Sequence, residues 1–181
     1  SRIISWGDAS GSSLDGQQPI DAVQGERTIR PLYVGDGLNG KPTLRFNGKN
    51  QYLKLTATPL SDQSFTMVTV ATDTSVNEGH RELISNWNSR GRSVNSLFLG
   101  STRGGVIRLS DNFANGGTLL NRGQPFILGA INAADSAVTF QNGGKLAQAP
   151  PLTERVLAGP WVIGTQGNIN GEYWLGDISE I

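Results

Sequence analysis

Apolar residues along this chain either alternate with polar residues or form short runs that end at Gly, Asn, Asp, Ser or Pro. An alternation with a period of two predicts strands, because successive side chains of a strand point to opposite faces of a sheet. A first strand is predicted at 2–6, and the polar stretch 9–19 after it is expected to be a loop. The strand pattern is clearest in six further segments, at 43–47, 65–71, 96–100, 106–110, 137–141 and 161–164.

Chain reversals are indicated by the dipeptide Asn-Gly, which tolerates the positive φ angles of tight hairpins. Helical spacing of apolar residues is limited to 151–157, where one or two turns would fit. The sequence therefore predicts an all-β protein in one domain, residues 1–181, with roughly ten to twelve strands in two stacked antiparallel sheets. The dipeptide occurs five times, and the last three are expected to be reversals: Asn39, Asn47, Asn115, Asn142 and Asn170.

The segment 35–40 matches the nucleotide-binding fingerprint G-x-G-x-x-G. That motif holds a phosphate only where a helix begins directly after it, because the amides at the helix N-terminus bind the anion. Here Pro42 follows, and proline disfavours the helical conformation of the residue before it. These glycines are therefore expected to be turn residues before a strand in which Leu44 and Phe46 face the core.

Composition narrows the classes of partner. Lys+Arg and Asp+Glu both number 15, the formal net charge is +0, and no basic cluster stands out. This balance argues against nucleic acid and anionic membrane surfaces as partners. Cysteine is absent, which excludes disulfides and thiolate chemistry, and the apolar runs are too short to cross a bilayer. No signal peptide opens the chain, and its abrupt ends lead us to expect a domain excised from a larger protein.

Catalytic groups are sparse. The single histidine, His80, lies in a polar segment and no G-x-S-x-G elbow accompanies it, so a solvated loop histidine is the favoured interpretation. A glycosidase needs two carboxylates, and on one strand face these would be spaced by two or four residues. Glu172, Asp177 and Glu180 are spaced by five and three, so Asp177 and Glu180 are expected to be structural. The other acidic residues are expected to be scattered singly.

Calcium is the one cofactor that the sequence leaves open, because loops rich in oxygen ligands are abundant. The EF-hand pattern D-x-[DN]-x-[DN]-G is absent, so a calcium site would have to be assembled from separate loops. The candidate ligands are Asp8, Asp15, Asp36, Asp111 and Asn112.

Sugar recognition combines an aromatic ring for the apolar face of a pyranose with polar groups for its hydroxyls. The segment 85–92 supplies both, with Trp87 as the ring and Asn86, Asn88 and Arg92 as polar groups. A tryptophan at the edge of the core is an equally good interpretation of Trp87, since this residue type is highly buried on average. Tyr52 is a weaker second candidate for the ring, and Trp6, Trp161 and Trp174 are expected in the core.

Three motifs carry a resemblance to a known family. They are W-G-D-A-S at 6–10, G-L-N-G-K-P-T-L-R-F-N-G at 37–48 with Y-L at 52–53, and E-Y-W-L-G-D-I-S-E-I at 172–181. Together they closely resemble bacterial laminin-G-like domains of the concanavalin A-like lectin/glucanase superfamily. The first loop is shorter than is usual in that family, and the closing strand stops several residues early.

The resemblance implies a jelly-roll sandwich that serves as an accessory module of a larger secreted or surface protein of bacteria or their phages. It implies carbohydrate binding and does not imply catalysis. The leading hypothesis is therefore a non-catalytic module that binds a glycan or surface polysaccharide outside the cell or on a virion. A structural or adhesive protein-interaction domain is the alternative, and a glycan hydrolase or lyase is the third hypothesis.

Overall fold

A computed structural model describes residues 1–9, 19–75, 79–87 and 95–181 of the chain. Nearly all regular structure in these ranges is β, with two short 3₁₀ turns at Arg27–Ile29 and Arg103–Gly105. The strands are β1 Ser5–Trp6, β2 Ala22–Val23, β3 Leu32–Leu38, β4 Lys41–Asn47, β5 Leu53–Leu55, β6 Phe65–Ala71, β7 Arg81–Ser85, β8 Phe98–Ser101, β9 Ile107–Leu109, β10 Phe126–Asn132, β11 Ala137–Gln141, β12 Gly144–Ala149, β13 Val162–Ile163 and β14 Leu175–Glu180.

The strands form two antiparallel sheets of seven. Sheet 1 has the order β1-β2-β5-β13-β7-β8-β9, and sheet 2 has the order β12-β11-β10-β6-β14-β4-β3. The chain crosses between the sheets repeatedly, for example from β5 to β6, from β6 to β7 and from β13 to β14. This is the two-sheet antiparallel jelly-roll sandwich that the sequence predicts, with more strands than expected. No helix in the described ranges has the length and apolar character needed to cross a membrane.

The core lies between the sheets and follows the period-two pattern. On β6, Phe65 and Met67 are buried while Thr66 and Val68 are exposed. Leu44 and Phe46 of β4 enter the core as predicted. The same alternation on both sheets gives one shared core, which also contains Leu83, Leu99, Leu128, Trp161 and Trp174.

The glycine-rich fingerprint forms a strand and a hairpin. Its first residues belong to β3, and Asn39 and Gly40 turn the chain into β4 with φ angles of 51° and 74°. No helix follows the fingerprint, so the segment lacks the helix N-terminus that a phosphate loop needs. Asn142 begins a second such hairpin, between β11 and β12, as predicted. Segment 151–157 is irregular, so the turn or two of helix that its spacing allowed does not form.

Gly37 has a packing reason to be glycine. A Cβ atom at this position would lie 2.2 Å from Oγ1 of Thr43 on the neighbouring strand. Thr43 in turn donates a hydrogen bond to Asp177 Oδ2 at 3.4 Å, and Arg45 binds both oxygens of that carboxylate at 2.7 and 2.8 Å. Asp177 raises the pKa of Arg45 through this hydrogen bond and through its charge. The Asp177 carboxylate therefore joins β14 to β4, a structural role as expected.

We predict that Gly37→Ala lowers the free energy of unfolding by about 1–3 kcal/mol, because the new methyl group must displace Thr43 from a packed position. Urea unfolding monitored by tryptophan fluorescence measures the change. Gly25→Ala is the matched control, since Gly25 is exposed and a Cβ there would meet no atom within 4 Å. The control is expected to stay within about 0.5 kcal/mol of the native protein. Equal stabilities of the two variants would contradict this account of Gly37.

Candidate functional site

The connection from β13 to β14 is a compact loop, residues 165–172, whose two ends lie side by side. Thr165 Oγ1 donates a hydrogen bond to the Gly171 carbonyl at 2.5 Å. Just outside the loop, the Trp174 amide donates to the Gly164 carbonyl at 2.9 Å. A surface loop with adjoining ends is an Ω-loop, a type of segment that is frequently functional.

Loop 165–172 lies directly against the end of β7. The Asn168 amide donates to the Trp87 carbonyl at 2.9 Å, and the Gly167 amide donates to Ser85 Oγ at 3.3 Å. A Cβ atom on Gly167 would lie 2.5 Å from the carbonyl carbon of Asn86. Only glycine permits this close approach of two backbones, so the position of the loop beside Trp87 is fixed by packing.

Two residues of the loop have left-handed backbone conformations that are costly for their type. Ile169 has a φ angle of 57° and Glu172 has one of 53°. A β-branched residue rarely adopts such an angle, and backbone strain of this kind concentrates at ligand-binding sites and switches. Backbone strain and the Ω-loop shape thus both indicate loop 165–172 as a candidate functional site.

Trp87 and Tyr173 border the loop, and Tyr52 lies near Tyr173. Trp87 and Tyr52 are both half-buried. Tyr173 directs its hydroxyl to the Ile169 carbonyl at 3.2 Å. Burial raises the pKa of Tyr173, and the nearby Tyr52 raises it further. The structure thus places Tyr52 near Tyr173, which directly follows the loop, and places Trp87 against the loop itself through the bond from the Asn168 amide.

Asn86 has a different position from the one that the sequence suggested. Its side chain is buried, with 7% exposed. Its Nδ2 donates to the Val156 carbonyl at 2.7 Å, and its Oδ1 accepts from the Leu97 amide at 2.8 Å. Since these bonds use both ends of the amide inside the fold, Asn86 holds the backbone beneath Trp87. Asn88 and Arg92, the other predicted polar groups, lie outside the described residues.

Sequence reasoning missed a pair of carboxyl groups beside this loop, one buried and the other partly exposed. Glu82 on β7 has 2% of its surface exposed, and its carboxyl hydrogen-bonds that of Glu172 at the end of the loop. Two carboxylates can only accept, so this bond requires a proton on one of them. Burial is the largest cause that raises the pKa of Glu82 well above its ordinary value, and the bond to Glu172 adds to it.

The carboxyl pair contradicts the expectation that the remaining acidic residues are scattered singly. The two residues are 90 positions apart, and a short-range spacing pattern does not detect such a pair. Their side chains are in hydrogen-bond contact, whereas the carboxyl groups of a retaining glycosidase stand about 5 Å apart and those of an inverting one stand further apart. The pair therefore lacks the spacing that hydrolysis of a glycosidic bond requires.

Charged groups surround the pair on two sides. The His80 Nδ1 atom lies 3.6 Å from Glu172 Oε1, and the His80 side chain is half exposed, as expected of a loop histidine. On β9, Arg108 lowers the pKa of Glu82 by its charge. Arg108 also pairs with Asp111 at 2.7 Å and lies over the Phe98 ring, 4.7 Å from its centre.

Three of the five predicted calcium ligands are used in local contacts, and a fourth, Asp36, is exposed on β3. Asp8 accepts a hydrogen bond from the Ile20 amide at 3.0 Å, Asp111 pairs with Arg108, and Asn112 donates to Thr153 Oγ1 at 2.7 Å. Asp15 lies outside the described ranges. Within those ranges, no group of three or more His, Cys, Asp or Glu side chains is placed to hold a metal ion.

Comparison with known proteins finds likeness in structure only. No family model and no curated protein matches the sequence. Domain 4 of AbnA, an extracellular GH43 arabinanase from Geobacillus stearothermophilus solved with arabinotriose, aligns with a TM-score of 0.56 and 12% identity, over 83% of this chain and 72% of that one. Trypanosoma rangeli sialidase gives a TM-score of 0.57 and 16% identity, over 88% of this chain and 26% of that one.

A third similar structure is the enzymatically active domain of tailspike protein 2 from bacteriophage CBA120. It has a TM-score of 0.54 and 15% identity, over 82% of this chain and 26% of that one. The chain thus spans about a quarter of the length of the sialidase and the tailspike. The identities are low, so these alignments show a shared sandwich fold and leave the function to be argued from the site.

We predict that Asn86→Ala lowers the free energy of unfolding by about 2–4 kcal/mol, because it leaves the Leu97 amide and the Val156 carbonyl without their partner. The change is measured by urea unfolding. Asn170→Ala serves as the control, since Asn170 is exposed on the adjacent loop, and it is expected to change stability by less than about 0.5 kcal/mol. An Asn86→Ala variant as stable as the native protein would contradict this structural role and would favour Asn86 as a ligand contact.

Proposed function

We propose that this chain is a non-catalytic, lectin-like module that binds carbohydrate through the surface formed by loop 165–172, Trp87 and Tyr52. The observation that carries the proposal is the meeting of aromatic residues and side-chain amides at one strained, closely packed loop. We extend the site to Asn88 and Arg92, because they lie one and five positions after Trp87 in the sequence.

The chemistry of the surface suits a sugar. Carbohydrates present apolar C–H faces, which pack against aromatic rings, and hydroxyl groups, which need both donors and acceptors. Asn168 and Asn170 carry amides that offer both, and Asn170 is exposed. The backbone N–H of Asn170 donates a hydrogen bond to Asn168 Oδ1 at 3.1 Å. This local bond orders this part of the loop in the absence of a ligand.

The structural neighbours support the same class of ligand and setting. One of them was solved with arabinotriose and belongs to an extracellular arabinanase, and another belongs to a phage tailspike. The botulinum neurotoxin type G receptor binding domain also shares the fold, with a TM-score of 0.54 and 12% identity over 99% of this chain and 46% of that one. We infer a laminin-G-like module of a larger protein that acts outside the cell or on a virion.

A second candidate, a structural or adhesive protein-interaction domain, is favoured by one further observation. Val68 on β6 and Ile127 on β10 expose 50% and 49% of their surface on the outer face of sheet 2. The strand register places Val70 opposite Ile127 and Val68 opposite Gly129, so these apolar side chains share one face. A patch of this kind is a common feature of protein contact surfaces.

A glycan array followed by titration of the best oligosaccharide tests the proposal, with arabino-oligosaccharides included among the probes. We predict that Trp87→Ala weakens binding by about tenfold or more, because loss of one buried ring contact removes about 1.4 kcal/mol or more. Tyr52→Ala is expected to weaken binding less. Tyr33→Ala is the matched control, since Tyr33 is an exposed aromatic residue on sheet 2, and it should leave affinity unchanged.

Two results would contradict the carbohydrate proposal. One is the lack of binding to any glycan on the array, and the other is glycan binding that Trp87→Ala leaves unaltered. Loss of binding in Val68→Asp, with full binding retained in Trp87→Ala, would favour the outer face of sheet 2 and hence the second candidate.

A further inference from the structure

The carboxyl pair of Glu82 and Glu172 occupies the point where loop 165–172 meets the first half of β7. The Glu82 amide donates to the Glu172 carbonyl at 3.0 Å, so the two residues are joined through backbone as well as side chains. The Oε2 atoms of both residues are buried, and among the described residues no N–H or hydroxyl donates to either atom. The side-chain contact therefore depends on the proton that the two carboxyl groups share.

We propose that Glu82 and Glu172 form a proton-dependent latch that holds loop 165–172 against β7 in acid and releases it as the pH rises. When the shared proton leaves, two carboxylates face each other with both Oε2 atoms buried, and their like charges repel. Glu172 can escape this repulsion by moving, because it belongs to the loop, whereas Glu82 is fixed in the middle of sheet 1. This proposal concerns closure of the loop and holds whatever the loop binds.

Charged and polar groups lie on two sides of the pair. The His80 Nδ1 atom is 3.6 Å from Glu172 Oε1. Ser85 lowers the pKa of Glu82 by a hydrogen bond and Arg108 lowers it by its charge, while Asp111 pairs with Arg108. Burial and the contact with Glu172 outweigh these two effects, since the pKa of Glu82 stays well above its ordinary value.

Other ionisable groups near the pair are directed elsewhere. Arg81 precedes Glu82 on β7, so strand alternation turns its side chain to the opposite face of sheet 1. Tyr173 directs its hydroxyl to the Ile169 carbonyl. On β8, the residue opposite Glu82 is Gly100, which has no side chain. The proton on which the latch depends is therefore the one that Glu82 and Glu172 share.

The direction of the pH effect follows from where protons bind. In the closed state, the pKa of Glu82 is raised well above its ordinary value, with burial as the largest cause. In the open state, solvation returns a glutamate to an ordinary pKa of about 4.3. The closed state therefore binds more protons between these two values. The free energy that favours closure is fully present below the lower value and is lost as the pH rises through the higher one.

Hydrogen exchange of the whole chain at about pH 5 and about pH 8 tests the latch, with each rate divided by the intrinsic rate at that pH. Protection of the Glu82 and Asn168 amides is expected to fall about tenfold or more at the higher pH, because one pKa unit changes the opening constant tenfold. The Leu128 amide in the middle of β10 should change much less. Equal protection of the loop contacts at both pH values would overturn the proposal.

Glu82→Gln gives the sharper result. Its amide can donate to Glu172 without a titrating proton, so protection of the Asn168 amide should stay high at both pH values. Glu154→Gln, at an exposed position, is the matched control and should keep the native pH response. If Glu82→Gln fails to fold, Glu172→Gln replaces it with the same expectation. A native-like pH response in a folded latch variant, or lost protection at both pH values, would overturn the proposal.

Discussion

The whole molecule depends on the burial of alternate strand residues between two sheets. Most strands contribute one face of side chains to a single core, so the sheets cannot separate without exposing tryptophans, leucines and isoleucines together. The same constraint leaves the outer face of each sheet outside the core. On sheet 2 that face is exposed and partly apolar at Val68 and Ile127, and on sheet 1 Glu82 and Ser85 are buried against loop 165–172.

This arrangement requires the chain to cross repeatedly between the sheets, and one of these crossings forms the candidate site. Because β13 belongs to sheet 1 and β14 to sheet 2, the chain between them must cross from one layer to the other. It does so by lying along β7, where Gly167 allows contact with the backbone at Asn86. The crossing therefore brings a loop rich in asparagine next to Trp87 and brings Glu172 next to Glu82.

Loop 165–172 is held against β7 at two points. At one point the Asn168 and Gly167 amides bond Trp87 and Ser85, and the backbone packs closely on Asn86. At the other point the Glu82 amide bonds the Glu172 carbonyl, and the carboxyl groups of the two residues are in contact. Because both points belong to one short loop, the contacts at its two ends support each other.

The sequence by itself determined the fold class, the core face of β4 and β6, and the hairpin at Asn142, because alternation and turn chemistry are local properties. It also singled out Trp87 and Tyr52 through residue type. It did not reveal β3 within the glycine-rich segment, since Gly37 is required by contact with Thr43 on another strand. The internal hydrogen bonds of Asn86 and the pairing of Glu82 with Glu172 were decided only by tertiary structure. Residues that meet only because the chain crosses between two sheets are far apart in the sequence, so no local spacing pattern indicates their contact.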